Sequence, residues 1–522
     1  MPHLRIGIDV GGTNTDAVLL DGDTVVAWTK QPTTEDVTSG IGAALDAVLA
    51  GSDPAEVAAV FIGTTHFINA LAEARGLDEV GFVRLATPPQ SILPHHDWPS
   101  AVRDAIGEHI YVCVGGSQFD GRALSPLDEG ALRVAAADIG ERGLRRVAVS
   151  AVFSTVNPAH EIRAAEILRQ ELPGVSITRS IDVGRTGLLE RENATILNAS
   201  LLTLAGVVVE GLEQVVRRAG MTAPILLSQN DGTVMTLAHV REFPIFTIAS
   251  GPTNSMRGAS LLTGIRDGVV IDVGGTTSDV GLLQHGFPRE STVAMSLAGV
   301  RSSFQIPDVL SLALGGGSVV GVGGSAVGPR SVGYRISQEA RVFGGPTVTF
   351  TDVAVAGGAP AIGDPRLLAD LPRDVVSGAL EIARERIVTA IENVRISADD
   401  TPVIVVGGGA SLLRGLPGLD HLIIPDRAGV ANAVGAAYAE AGGEVDRVFH
   451  LDGRSRDEVI AEAKAEAIAS AVKAGASPET VRIIDVDDVP LTHMGGTAAI
   501  RVRVKAVGPF ASLAVEREVV AR

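Results

Sequence analysis

Two almost unbroken apolar runs, Leu4–Val10 and Val269–Val273, each lead into one repeated pattern. The first reads Ile8-Asp9-Val10-Gly11-Gly12-Thr13-Asn14-Thr15-Asp16 and the second Ile271-Asp272-Val273-Gly274-Gly275-Thr276-Thr277-Ser278-Asp279. Short apolar runs that stop at turn residues read as buried strands. Behind the first copy, 15–20 and 24–29 alternate as hairpin strands, and Val37, Ile41, Leu45 and Val48 carry helical spacing over 36–50. A strand at 57–63, a helix at 65–75 and a strand at 80–85 follow, and the same order of elements is expected to recur after residue 268.

Between the copies the pattern predicts a strand at 146–152, a helix at 158–171, a strand at 175–178, one long helix at 191–219 and a strand at 224–228. Ser250-Gly251-Pro252-Thr253-Asn254-Ser255 reads as a turn cluster ahead of a helix at 256–263: either a helix N-terminus presenting N–H groups or a plain turn with a cap. Farther on, the glycine-dense stretch 314–324 reads as a loop. A helix at 376–396 and a strand at 402–406 lead to Gly407-Gly408-Gly409-Ala410, and a helix of small residues over 430–440 fits a close helix crossing at a hinge, with 191–219 as its counterpart. A helix at 455–474 and strands at 480–486 and 497–507, with Asp485, Asp487 and Asp488 between them, close the chain.

The repeated pattern has a chemical meaning. It places an Asp at the end of a buried strand and a glycine turn behind it, where N–H groups crowd around an anion and hydroxyls add donors. Two such turns facing one another would grip a nucleoside triphosphate from both sides. Composition narrows the partners: a formal charge of −18 argues against nucleic acid and anionic membranes, and the single cysteine, Cys113, excludes an internal disulfide framework. At 522 residues two to four domains are expected. With no apolar run of membrane-spanning length and no secretory pattern at the start, the expected location is the cytoplasm.

Other polar positions admit two readings. His66, between a strand end and a helix start with Thr64, Thr65 and Asn69 nearby, is either a substrate-side residue or a helix-capping histidine. Asp279 either orients a water or pins its hairpin. His160 with Glu161 fits a helix start, and Glu190-Arg191-Glu192-Asn193 fits a solvated charge run. His95-His96-Asp97 reads against a metal site, because adjacent residues rarely converge on one ion.

The paired hairpins, the turn at 407–410 and the small-residue helix resemble the actin-like ATPase superfamily. More narrowly, Asp9–Asp16, Gly63–Leu71, Asn157-Pro158-Ala159-His160-Glu161, Ser228-Gln229-Asn230-Asp231-Gly232, Ser250-Gly251-Pro252 and Asp272–Asp279 resemble the hydantoinase/oxoprolinase family, in order over roughly 4–440. The departures are Asn14, where the family commonly has an aromatic, and Thr253-Asn254-Ser255, where it is more glycine-rich. The resemblance implies an α/β fold of two actin-like (ribonuclease H-like) lobes with duplicated phosphate hairpins and a small C-terminal α/β appendage. Its expected divisions are 1–200 for the first lobe with an inserted α/β segment, 201–267 as a connection, 268–444 for the second lobe and 445–522 for the appendage. It also implies ATP-dependent opening of a cyclic amide or imide through phosphorylation of the carbonyl oxygen, with Mg²⁺ and K⁺ as the ions. The rival is a small-molecule, sugar-type kinase of the same superfamily. The chain ends without the second catalytic half of long oxoprolinases, so a separate hydantoinase-type subunit is expected, as is a homo-oligomer. On this reading Asp9 and Asp272 hold the metal, and Asp9, Asp272, His66 and Asp279 serve catalysis. Gly11, Gly12, Thr13, Asn14, Gly274, Gly275, Thr276 and Thr277 meet the phosphates, Gly407, Gly408, Gly409 and Ala410 meet the nucleoside, and His66, Asn69 and Asn230 face the substrate.

Overall fold

In a computed structural model the protein is described at residues 3–12, 14–33, 37–88, 90–185, 187–291, 295–304, 306–395, 401–451, 453–491 and 499–510. Thr13 lies outside these residues.

Both apolar runs are strands. Leu4–Val10 pairs antiparallel with Asn14–Asp21, which pairs with Thr24–Pro32, while Val57–Thr64 lies parallel on the other side of the first strand. The second copy repeats this: Gly268–Val273 pairs antiparallel with Ser278–Gln284, which pairs with the short Phe287–Pro288, and Val403–Val406 takes the parallel position. The expected recurrence is therefore one of topology and register. Asp9 stands opposite Asp16 as Asp272 stands opposite Asp279. Each unit packs its own core, Ile6, Ile8, Leu45 and Ile62 in the first and Ile271, Ile387, Ile404 and Val405 in the second.

The first sheet is the larger and has nine strands. Beyond Val57–Thr64 it continues through Ile225–Ser228 and Thr233–Thr236 to the C-terminal strands Glu440–His450, Ala499–Gly508 and Arg482–Leu491. The C-terminal helix Arg456–Lys473 covers that end through Val459, Ala463, Ala467 and Ala471. Asp485, Asp487 and Asp488 belong to the edge strand itself and not to a loop; Asp488 receives two bonds from Arg456. The strand Val80–Leu85 leaves the first sheet for a separate all-parallel one, ordered His109–Cys113, Val80–Leu85, Arg146–Ala151, Ser176–Arg179. Helix Ala159–Glu171 packs on it as anticipated.

Further expectations are corrected. The long helix at 191–219 is two helices, Leu188–Ser200 and Leu202–Arg218, bent by 52°. Asp78 satisfies both sides of the break, its carboxylate accepting from Thr203 N–H at 3.0 Å and its own N–H donating to Ser200 O at 2.8 Å. The charge run at 191–193 is not solvated: Arg191 is 2% and Glu192 1% exposed. Glu192 pairs with the buried Arg84, and Arg191 donates to Ala151 O and Ser180 Oγ, which fastens the inserted sheet to this helix. Periodicity cannot see such pairs because the partners lie far apart in sequence.

Another correction concerns 250–263. The turn cluster is already helical, since the helix runs Ser250–Thr263 behind Ala249 at φ +66°. Pro252 fits because the first turn of a helix has no intrahelical use for its N–H. This helix, and not 191–219, is the one that meets the small-residue helix Ala431–Ala437. A Cβ on Gly258 would fall 1.9 Å from Ala431 O, and one on Gly435 1.8 Å from Asn254 O, so the two backbones touch. Among the described residues, no single helix is long and apolar enough to cross a membrane.

Candidate functional site between the two hairpins

The turns after the two strands close in the same way. Gly11 N–H donates to Asn14 O at 3.0 Å, and Gly274 N–H to Thr277 O at 2.9 Å. A Cβ on Gly12 or Gly275 would meet nothing within 4 Å, so both turn tips face open space, and Thr276 and Thr277 are exposed beside the second. Such tips are suited to receive an anion on backbone N–H groups. The glycine stretch at 315–317 is no free loop: Gly316 N–H donates to Gly274 O at 3.0 Å and Gly317 N–H to Gly275 O at 2.7 Å, bracing the second turn.

At the base of each turn a glycine makes room for the Asp, Gly63 as the parallel register partner of Asp9 and Gly407 just beyond Val406, the partner of Asp272. A Cβ on Gly63 would lie 2.7 Å from Asp9 Oδ1, and one on Gly407, at φ +91°, 2.1 Å from Asp272 Oδ1. In the same turn Gly409 N–H is taken by Val273 O at 2.8 Å and Ala410 is buried, while Gly408 is exposed with open space before it.

Both strand-end aspartates resist ionisation. Burial pushes Asp9 up to about 7, with the charges of Asp16 and Asp272 adding to it; Asn432 and Asn254 oppose the shift. Burial likewise pushes Asp272 up to about 6, opposed by Ser255 and Lys30 and reinforced by Asp279 and Asp16. Carboxylates whose ionisation is opposed in this way suit a hard divalent cation, whose charge removes the cost of ionising both. Asp16 is paired, Lys30 Nζ lying 2.7 and 2.6 Å from its oxygens, and Asp279 accepts from Ser311 Oγ at 2.5 Å, so each is tied to its own strand neighbour. No group of three or more metal-ligating side chains occurs among the described residues, and the 95–97 run forms none: buried His95 stacks on Trp98 at 4.4 Å.

His66 begins helix His66–Glu73, three residues past Gly63. Its Nδ1 lies 2.9 Å from Thr64 Oγ1, and burial lowers its pKa, which favours the neutral ring. Asn69 is exposed one turn on, its amide 3.4 Å from Thr65 Oγ1. Asn230 is buried in the neighbouring loop, its N–H on Phe246 O at 2.8 Å and its carbonyl accepting from Thr253 Oγ1 at 2.9 Å.

Lys30, Gly63, Asn254, Ser255 and Asn432 escaped the sequence reading as site residues. The sequence offered one signal: Asn432 is the only polar side chain in a helix otherwise built from Ala, Val and Gly.

Family models place the same design in a known group. Residues 5–172 match the hydantoinase/oxoprolinase N-terminal region and residues 191–361 the hydantoinase/oxoprolinase model. Among curated proteins, the caprolactamase alpha subunit of Pseudomonas jessenii is 29% identical over 74% of this chain and 58% of its own length. The acetophenone carboxylase gamma subunit of Aromatoleum aromaticum is 29% identical over 67% of this chain and 53% of its own. The chain thus spans little more than half the length of these relatives. Of solved structures, the ATP-dependent caprolactamase from Pseudomonas jessenii superposes with a TM-score of 0.77 at 21% identity, covering 97% of this chain and 87% of that one. Nucleotide-free acetone carboxylase superposes at 0.66 with 18% identity, covering 98% and 88%. With two family models lying end to end over most of its length, the chain belongs to the hydantoinase/oxoprolinase family.

Proposed function

We propose that the chain is the nucleotide-using part of an ATP-dependent enzyme that opens a cyclic amide or imide of the hydantoin or 5-oxoproline kind, working with a second subunit. The observation that carries this reading is the pair of strand-end aspartates, one per lobe, Asp9 buried and Asp272 partly so, each at the base of an open glycine turn and each with its pKa raised by loss of solvent. The names of the relatives support it, since one is a lactam-opening enzyme, one a ketone carboxylase, and both are called subunits. Each of those substrates carries a carbonyl oxygen that a phosphoryl group could activate.

Each hairpin would take one side of the triphosphate: Gly11, Gly12, Thr13 and Asn14 from the first lobe, Gly274, Gly275, Thr276 and Thr277 from the second. Gly407, Gly408, Gly409 and Ala410 would line the nucleoside. Asp9 and Asp272 would hold Mg²⁺, which when bound neutralises phosphate charge. The lactam oxygen attacks the γ-phosphorus, forming a C–O–P link as the bond to ADP breaks. Water then adds to the activated carbon, the ring C–N bond breaks with a proton passing to nitrogen to leave an acyl phosphate, and a second water hydrolyses that to the carboxylate and inorganic phosphate. Neutral His66, held at Nδ1 by Thr64, would offer Nε2 to the ring, with Asn69 and Asn230 on the same side.

Product analysis tests the reading. Hydantoins, 5-oxoproline and caprolactam are incubated with ATP, Mg²⁺ and K⁺, with and without the candidate partner subunit. Ring-opened product formed in step with free phosphate supports it. A stable phosphate ester of a hydroxyl-bearing substrate replaces it with the kinase reading.

A further inference from the structure

The segments that pass between the lobes are the two touching helices. Ser250–Thr263 leads from the first sheet toward Gly268, and Ala431–Ala437 returns from the second sheet to Glu440. Each sends an amide to Asp9. Asn432 Nδ2 donates to Oδ2 at 3.3 Å, and Asn254 Nδ2 approaches from the other oxygen: the position of the missing Gly63 Cβ lies 2.5 Å from Asn254 Nδ2 and 2.7 Å from Asp9 Oδ1. The next residue, Ser255, opposes the rise in the pKa of Asp272.

Asn254 is 1% and Ser255 0% exposed, and neither Asn254 Nδ2 nor Ser255 Oγ has a direct hydrogen-bond partner among the described residues. A buried donor left unpaired costs about 1–3 kcal/mol, so side chains in this state beside two carboxylates point to a role that packing does not supply.

We propose that Asn254 and Asn432 are positioning residues that orient Asp9 for a divalent cation shared with Asp272 and tie cation capture to rotation of the lobes. The proposal rests on the reading of Asp9 and Asp272 as a cation site. Asn432 holds one oxygen of Asp9, and the unpaired amide of Asn254 stands beside the other, placed to set the plane of the carboxylate once a cation draws its lone pairs into the gap. Since both amides ride on helices in backbone contact at Gly258 and Gly435, rotation there moves the donors against Asp9. Orienting groups of this kind commonly change metal affinity 10- to 100-fold.

Mn²⁺ titrated into the full chain, with and without ATP, and followed by the paramagnetic signal of the free aqua ion, tests this. Asn254→Ala and Asn432→Ala should each weaken Mn²⁺ binding about 10-fold with little change in melting temperature. Gly63→Ala, which removes no donor but wedges a methyl between amide and carboxylate, should weaken Mn²⁺ binding likewise, with a loss of stability from the crowding. Small-angle scattering should record compaction on adding Mn²⁺ and ATP in wild type and its loss in Asn254→Ala/Asn432→Ala. Folded variants that keep wild-type Mn²⁺ affinity and compaction overturn the clamp alone. A wild type that takes up no Mn²⁺ overturns the cation reading beneath it.

Discussion

The two hairpins are near copies in sequence and in backbone, and unlike in their surroundings. The first sits in a nine-stranded sheet, and its second aspartate, Asp16, is neutralised by Lys30 from the adjoining strand. The second sits in a smaller sheet, has a serine hydroxyl where the first has an ammonium, and is braced from outside by Gly316 and Gly317. Duplication therefore preserved turn geometry while leaving electrostatics to each lobe. Lys30 also lowers the pKa of Asp272, so one cation from the first lobe serves both halves of the gap.

The sharpest break of this comparison is removal of either strand-end carboxylate. Asp9→Ala and Asp272→Ala should each lower ATP-dependent turnover about 100-fold or more, measured as phosphate release, if both lobes contribute equally to charge stabilisation. A large loss in one and a small loss in the other would make one hairpin merely structural.

Next come the glycines behind them. Gly407→Ala should be the worse of the pair, because its Cβ meets both an oxygen at 2.1 Å and a left-handed backbone, whereas Gly63→Ala meets only crowding. Overpacking of this kind costs about 1–3 kcal/mol, and strain at Gly407 adds to it; chemical denaturation measures the order.

The strand neighbours should separate the hairpins more gently. Lys30→Met leaves Asp16 buried without its cation and should cost about 3 kcal/mol, against about 1 kcal/mol for Ser311→Ala. Equal costs would show that the ammonium acts on Asp16 no more strongly than a hydroxyl does on Asp279.

A pH dependence separates Asp9 from its neighbours. Asp9, pushed up to about 7 by burial, stays protonated in the folded chain at pH values where the unfolded chain has released its proton. Its contribution to stability is therefore present below about pH 4 and is lost as pH rises through about 7, at ~1.4 kcal/mol per unit of displacement. Without divalent cation, wild type should lose melting temperature relative to Asp9→Asn across that window, and Mg²⁺ should narrow the difference. Parallel profiles would show that Asp9 carries no such burden.

Hinge chemistry sharpens the comparison from the side. Ala436 packs with Ala59, Phe61 and Leu226 against the first sheet, whereas Gly435 and Gly258 form the crossing itself, so a substitution at either glycine should disturb the crossing more than one at Ala436, as melting temperature would show.

What the amino-acid sequence determined by itself is local. Apolar runs of six or seven residues, a glycine turn and an alternating return strand interact within about ten residues, so both hairpins, the helix Ala159–Glu171 and the helix Arg456–Lys473 were legible from spacing alone. The strand-end positions of Asp9 and Asp272 followed from the same pattern. Only the tertiary structure decided which helices cross, that Arg191 and Glu192 are buried rather than solvated, that the C-terminal strands extend the first sheet, and that Asn432 reaches Asp9 across 423 residues of chain. The physical reason is the same in each case: burial, ion pairing and backbone contact between helices depend on groups brought together by the fold, and periodicity along one segment carries no information about what packs against it.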